Sequence, residues 1–283
     1  MGEITLVGYG NQGKAWAANL RDSGWKVVVS GREEGKGIAQ ARADGFATLP
    51  PAALRAKGGI IALLLPDEAI PEFFQSFLEG GERRQFLFAH GFAVTFCSLP
   101  VADSDDLILV APKGIGQKLR ENFAAGGGVM GVLAVAQDGS GKGWATAHSV
   151  AEGLGLTRVG VLKSSFDHET KTDLLSEQVI LCGAVPRLVK ETVGFLVEKG
   201  IDPALAQYEC LNELKLIVDM MVEHGVDGML GRVSSAAFHG GAMAAEVVLP
   251  KLELRKRTEA LWQAIDSGKF AEELQQRTKK GKA

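Results

Sequence analysis

Asp173 and Glu177 stand four residues apart in the run Thr172-Asp173-Leu174-Leu175-Ser176-Glu177-Gln178, and Glu209 and Glu213 repeat the spacing in Tyr208-Glu209-Cys210-Leu211-Asn212-Glu213-Leu214-Lys215. On a helix, each pair occupies one face, one turn apart. Four such carboxylates, brought together, offer hard oxygen donors to one or two divalent cations. Magnesium suits them, because it accepts few carboxylates and keeps several of its waters. A lone acidic pair is ordinarily a solvated helix face. Here the flanks favour partial burial: Leu174, Leu175, Val179, Ile180 and Leu181 surround the first pair, and Leu211, Leu214, Leu216, Ile217 and Val218 the second. Buried carboxylates need partners.

A second constellation is a glycine turn. Ile4-Thr5-Leu6-Val7 reads as a strand and runs into Gly8-Tyr9-Gly10-Asn11-Gln12-Gly13; a helical stretch, Lys14 to Arg21, stops near Ser23-Gly24, and Lys26 to Ser30 is the next strand. Strand, glycine turn, helix and strand in that order make GxGxxG a dinucleotide site. Gly8 permits the tight turn, Gly10 lets the backbone approach a pyrophosphate, and Gly13 lets helix and strand pack closely. The helix N-terminus then offers free N–H groups to the phosphates. The second strand ends Val29-Ser30-Gly31-Arg32, followed by Glu33-Glu34-Gly35-Lys36-Gly37. Arg32 can pair with a 2′-phosphate or stack on adenine, and Lys36 adds a second positive charge. Glu33 and Glu34 would repel a phosphate if they pointed inward. NADP(H) is therefore favoured over NAD(H), with dual use or NADH preference left open.

These groups need a scaffold. Further apolar strands are expected at 60–65, 85–89, 107–110, 131–135 and 158–162, alternating with helical segments. That pattern predicts an α/β Rossmann-type domain with a parallel sheet covered on both faces, whose ligands bind beyond the carboxyl ends of the strands. Two polar groups sit at such ends, His90 in Ala89-His90-Gly91-Phe92 and Lys113 in Ala111-Pro112-Lys113-Gly114-Ile115-Gly116. Past Ser164 strand patterns stop and helical ones continue. The division expected is a dinucleotide-binding domain at 1–164 and an all-α domain at 165–283.

The composition of the 283 residues, 46% hydrophobic and 23% charged, is that of a globular protein, and the net charge of −3 gives no electrostatic footprint for nucleic acid. No apolar run is long enough for a bilayer. Cys97, Cys182 and Cys210 have no metal spacing and fit a reducing compartment. With no signal peptide evident, a cytoplasmic protein is expected.

Taken together, the sequence resembles ketol-acid reductoisomerase, the acetohydroxyacid isomeroreductase family, in its short-chain class. The resemblance is carried by Gly8-Tyr9-Gly10-Asn11-Gln12-Gly13, Leu64-Leu65-Pro66-Asp67-Glu68, Ala89-His90-Gly91-Phe92, Val110-Ala111-Pro112-Lys113-Gly114, Glu169-Thr170-Lys171-Thr172-Asp173-Leu174 through Glu177-Gln178, Leu181-Cys182-Gly183, and Glu209 through Asp219. It implies Mg2+-dependent alkyl migration in a 2-aceto-2-hydroxyacid followed by reduction with a nicotinamide cofactor. Asp173 would bridge two Mg2+ ions, with Glu177, Glu209 and Glu213 completing the metal and proton-relay shell. His90 and Lys113 would line the reacting centre, Ser234 would touch the substrate carboxylate, and Pro66 and Asp67 would join the cofactor site. The resemblance also implies a knotted helical domain and a homodimer whose active sites are shared between chains.

The sequence departs from the family pattern in several places. It starts almost at the first strand. After Ser234 it has Phe238-His239-Gly240-Gly241 where the family has an acidic-aromatic-glycine turn, and it lacks a later Gly-Pro-Arg and an extended C-terminal tail. A member divergent or truncated at both ends is expected. Two other readings compete: a metal-free Rossmann dehydrogenase of the β-hydroxyacid type, and a dinucleotide-binding homologue without catalysis. The first lacks its glycine-rich lysine helix here and leaves four acids without a role; the retained acids oppose the second, and the short ends favour it.

Overall fold

The computed structural model describes residues 2–77 and 83–281. The chain divides into two compact units, residues 1–170 with 271–283, and residues 171–270.

The first unit contains β1 (Glu3–Val7), α1 (Asn11–Asp22), β2 (Lys26–Ser30), α2 (Lys36–Ala43), β3 (Ala47–Leu49), β4 (Gly59–Leu63), α3 (Ile70–Phe77), β5 (Arg84–Phe88), α4 (Phe92–Phe96), β6 (Asp106–Pro112), α5 (Gly116–Ala124), β7 (Gly131–Asp138), α6 (Gly143–Gly153) and β8 (Val161–Lys163). The eight strands form one sheet in the order β3-β2-β1-β4-β5-β6-β7-β8. Ile4, Leu6, Val27, Val29 and Leu87 bury their side chains with Trp16, Leu20 and Val150 on one face; Val7, Ile61, Leu63, Phe86 and Phe88 pack with Phe73 and Phe74 on the other. Strand side chains alternate between faces. With a core on each face both sets are apolar, which is why these strands read as continuous hydrophobic runs.

The sheet differs from a wholly parallel one at a single place: β7 pairs antiparallel to β6, with Pro112 opposite Gly131. The cause lies in the glycines after α5. Gly126 takes φ +83°, its N–H donates to Phe123 O at 3.0 Å and that of Gly127 to Asn122 O at 2.9 Å. A Cβ on Gly128 would overlap Gly155 O. The chain reverses there and re-enters the sheet beside the point where it left, with Lys113 N–H donating to Met130 O at 2.7 Å. β3, only three residues long, is additional to the strands expected, and β4 ends at Leu63, leaving Leu64 and Leu65 in the turn that follows.

The chain leaves the first unit within α7 (Phe166–Ser176), and the second unit is helical throughout. After α7 come a π-helical stretch (Glu177–Ala184), α8 (Val185–Glu198), α9 (Pro203–Gln207), a second π-helical stretch (Tyr208–Asn212), α10 (Glu213–Leu230), α11 (Ser235–Val248) and α12 (Lys251–Asp266). Asp202 caps α9 by accepting from Ala204 and Leu205 N–H at 2.9 and 3.1 Å, with Pro203 at the first helical position. Gly225, at φ 74°, breaks the regular geometry of α10. Within the single chain this unit leaves many apolar side chains in solvent, among them Tyr208, Leu211, Leu216, Met243, Val222 at 83% exposure and Leu252 at 84%. The last helix, α13 (Lys269–Gly281), packs with the first unit.

The division thus differs from a cut at residue 164. The start of α7 belongs to the first core, because Phe166 packs edge-on against Phe88 with ring centroids 5.8 Å apart, and Ala271 onward returns to it. Among the described residues, no helix is long and apolar enough to cross a membrane.

Candidate active site

The glycine turn between β1 and α1 is built tightly at two positions and left open at the third. Gly8 takes φ +105°, and a Cβ there would overlap Leu64 O; a Cβ on Gly13 would overlap Gly8 O. At Gly10 a Cβ would meet nothing within 4 Å. Helix α1 begins just after Gly10 with no side-chain cap and no acid in its first turn, so its first N–H groups suit an anion. Gln12 donates from Nε2 to Gly114 O at 3.0 Å, while its buried Oε1 has no hydrogen-bond partner among the described residues. A Cβ on Gly116 would overlap Asn11 O, so the glycine turn and the Lys113 loop fit directly against each other. The open space at Gly10, the uncapped helix and the orphaned Gln12 oxygen fit a dinucleotide.

Other residues of the predicted cofactor site are more peripheral. Asn11 is exposed, as are Arg32, Glu33, Glu34 and Lys36. The side chain of Tyr9 turns into the core, donating to Asp44 Oδ2 at 2.7 Å and packing on Phe46; burial and that bond push its phenol pKa up. Pro66 is exposed and Asp67 half-buried, in the turn after β4.

At the carboxyl ends of β5 and β6, His90 and Lys113 meet on one residue, Glu169 of α7. The Glu169 side chain is 1% exposed. It accepts from Lys113 Nζ at 2.6 Å and from Gly91 N–H at 2.9 Å, and lies 3.2 Å from His90 Nδ1. Burial alone would raise its pKa, but His90, by hydrogen bond and charge, and Lys113 outweigh burial and hold the carboxyl below the usual range. The sequence reading assigns Glu169 no role. Its signal is present nonetheless, since Glu169, Asp173 and Glu177 form one stripe at four-residue spacing.

Gly91 is what lets α7 come so close. A Cβ there would overlap Thr170 Oγ1 and lie 2.8 Å from Phe166 O and 3.1 Å from Glu169 Oε2. Gly91→Ala should therefore push α7 away, lowering stability by about 1–3 kcal/mol as overpacked cores do and cutting turnover more than cofactor affinity. Thermal unfolding and a cofactor titration check this together.

The four predicted metal acids lie on the second unit. Asp173, one helical turn beyond Glu169, is half-buried, but Glu177, Glu209 and Glu213 are exposed. The expectation of partial burial for both pairs is thus corrected for these three. The apolar residues around them, Ile180, Leu181, Leu211 and Leu216, are themselves uncovered in one chain. Among the described residues, no three of the four acids gather within one chain. Their oxygen donors fit Mg2+ in kind. Ser234 is exposed and caps α11, its Oγ accepting from Ala237 N–H at 3.2 Å.

Comparison with known proteins decides among the readings. Residues 2–160 match the family described as acetohydroxy acid isomeroreductase, NADPH-binding domain, and residues 166–283 match the ketol-acid reductoisomerase C-terminal domain. The chain belongs to the ketol-acid reductoisomerase family. Relatives named ketol-acid reductoisomerase (NADP(+)) include one from Saccharolobus islandicus, 42% identical over 95% of this chain and 81% of the relative, and one from Sulfurisphaera tokodaii, 40% identical over 98% and 84%. A solved NADH-preferring ketol-acid reductoisomerase from an uncultured archean superposes with a TM-score of 0.89 at 34% identity, over 99% of this chain and 86% of that one. Membership carries the family's reaction, conversion of 2-acetolactate to 2,3-dihydroxyisovalerate in branched-chain amino-acid biosynthesis. It also carries a nicotinamide dinucleotide cofactor on the Rossmann unit.

Proposed function

We propose that the protein catalyses Mg2+-dependent alkyl migration in 2-acetolactate and then reduces the product with NADPH, in a site completed by a second copy of the chain. The observation that carries this reading is the buried Glu169, which gathers His90 and Lys113 at the open ends of β5 and β6 one helical turn from Asp173. Bound there, Mg2+ would supply Lewis acidity to the substrate oxygens and the nicotinamide would supply hydride. The chain's own residues orient the reaction. Glu169 fixes the His90 ring through Nδ1 and holds Lys113 as a hydrogen-bond donor at the reacting centre. The α1 N-terminus and Gly10 receive the pyrophosphate. Asp173 and Glu177 hold metal from one chain, Glu209 and Glu213 from the other, with Glu213 also relaying protons, and Ser234 meets the substrate carboxylate.

Two features support sharing between chains: Glu209 and Glu213 are exposed among uncovered apolar side chains, and, among the described residues, no three of the four acids gather in one chain. A homodimer would bury these acids and apolar residues together. The test of the reading is oxidation of NADPH on addition of 2-acetolactate, with and without Mg2+.

NADPH is favoured because Arg32 and Lys36 flank the end of β2, and because Glu33 and Glu34 are exposed to solvent. Relatives of this chain include both NADP(+)-named and NADH-preferring enzymes, so family membership leaves the preference open and the reading rests on this loop. Arg32→Ala should cost NADPH about 1.5–3 kcal/mol in kcat/KM, as for a charged hydrogen bond, and leave NADH nearly unchanged. Equal losses for the two cofactors would assign Arg32 to adenine stacking instead.

A further inference from the structure

Helix α13 follows the helical unit in sequence but packs with the Rossmann unit. Its inward stripe is Ala271, Leu274, Gln275 and Thr278, while Glu272, Glu273, Gln276 and Arg277 are exposed. That is the i, i+3, i+4, i+7 spacing of one helix face. The polar member at the centre of the stripe is engaged, as Gln275 Nε2 donates to Cys97 Sγ at 3.6 Å. Cys97 closes α4, its own N–H donating to Ala93 O at 3.0 Å. Burial pushes the Cys97 thiol up, the Asp67 carboxylate pushes it further, and the Gln275 bond opposes both.

With five residues, α4 is too short to hold its direction by its own hydrogen bonds. At one end the Gly91 N–H is tied to Glu169, and at the other Cys97 is tied to α13. Between the ends, Phe96 packs edge-on against Phe92 with centroids 5.2 Å apart, and Phe92 stacks on the His90 ring at 6.5 Å.

We propose that Gln275 is a positioning residue: by holding Cys97 it fixes the far end of α4 and, through Phe96 and Phe92, the plane of His90 against Glu169. Its effect on turnover rests on the role given to His90 above; its effect on the ring itself does not.

The test uses the full chain and two readouts. One is kcat and KM with 2-acetolactate, NADPH and Mg2+; the other is the rate at which diethyl pyrocarbonate acylates His90, followed peptide by peptide. Gln275→Ala and Cys97→Ala should each speed His90 acylation about fivefold and lower kcat about tenfold, with KM for NADPH unchanged, because a small misplacement costs rate rather than cofactor affinity. The double variant should be no worse than either single one, since both break the same contact. Cys97→Ser, which keeps an acceptor, and Gln276→Ala on the exposed face should match the wild type. Additive losses, or wild-type acylation of His90 in Gln275→Ala, would overturn the proposal. If the wild type does not turn over 2-acetolactate, the functional reading fails while the acylation readout still decides the positioning role.

Discussion

Asp173→Asn should reduce magnesium-dependent turnover by at least about a hundredfold, as loss of a charge that holds a Lewis-acidic metal does, and leave NADPH affinity within about twofold, because the dinucleotide fits the other unit. The amide keeps the size and shape of the carboxylate, so the protein should fold with wild-type stability. If the site is shared, a second result follows. Chains carrying Asp173→Asn, inactive alone, should regain activity when refolded with chains carrying Glu213→Gln, because each hybrid contains one site with all four acids intact. Failure of the mixture to regain activity, with hybrids demonstrably formed, would count against sharing.

Glu169→Ala should be nearly as damaging to turnover and, unlike Asp173→Asn, damaging to stability. Its removal leaves the half-buried Lys113 and His90 without the carboxylate on which both converge. Because Lys113 and His90 stay partly solvated, the loss should fall below the roughly 3–5 kcal/mol that breaking a fully buried pair costs. The sign of the pH dependence follows from the lowered pKa of Glu169. A carboxyl held below its ordinary value stabilises the folded state at neutral pH and loses that contribution as pH falls through the lowered pKa. The stability gap between wild type and Glu169→Ala should therefore be widest at neutral pH and narrow only on acidification below the ordinary glutamate value of about 4.3. Chemical unfolding at a series of pH values measures this directly. A gap that widened in acid would mean that Glu169 is not the stabilising partner of His90 and Lys113.

Local features were the most legible in the sequence. The glycine turn can be read residue by residue because its constraints are local: Gly8 and Gly13 are forced by close contacts, while Gly10 faces open space. Burial around the acid pairs was not legible, since the apolar residues beside Glu209 and Glu213 remain exposed in one chain and periodicity cannot say which chain will cover them. The reversal of β7 was hidden because an apolar strand reads alike in either direction; the cue lay in Gly126-Gly127-Gly128 rather than in the strand. Glu169 sat in plain view, four residues before Asp173, but its role depends on the ends of β5 and β6, about 56 and 79 residues away in sequence from it at Lys113 and His90. Ser234 illustrates a residue type that serves two ends, since a serine before a helix caps it whether or not it also meets a substrate.

The central claim is tested most directly by following NADPH absorbance in the purified protein on addition of 2-acetolactate, across a titration of Mg2+. The account predicts oxidation that requires both the substrate and the metal, ceases on chelation, returns on adding Mg2+ back, and yields 2,3-dihydroxyisovalerate. Oxidation that persists in chelator, or no oxidation at saturating Mg2+ in protein that binds NADPH, would contradict it.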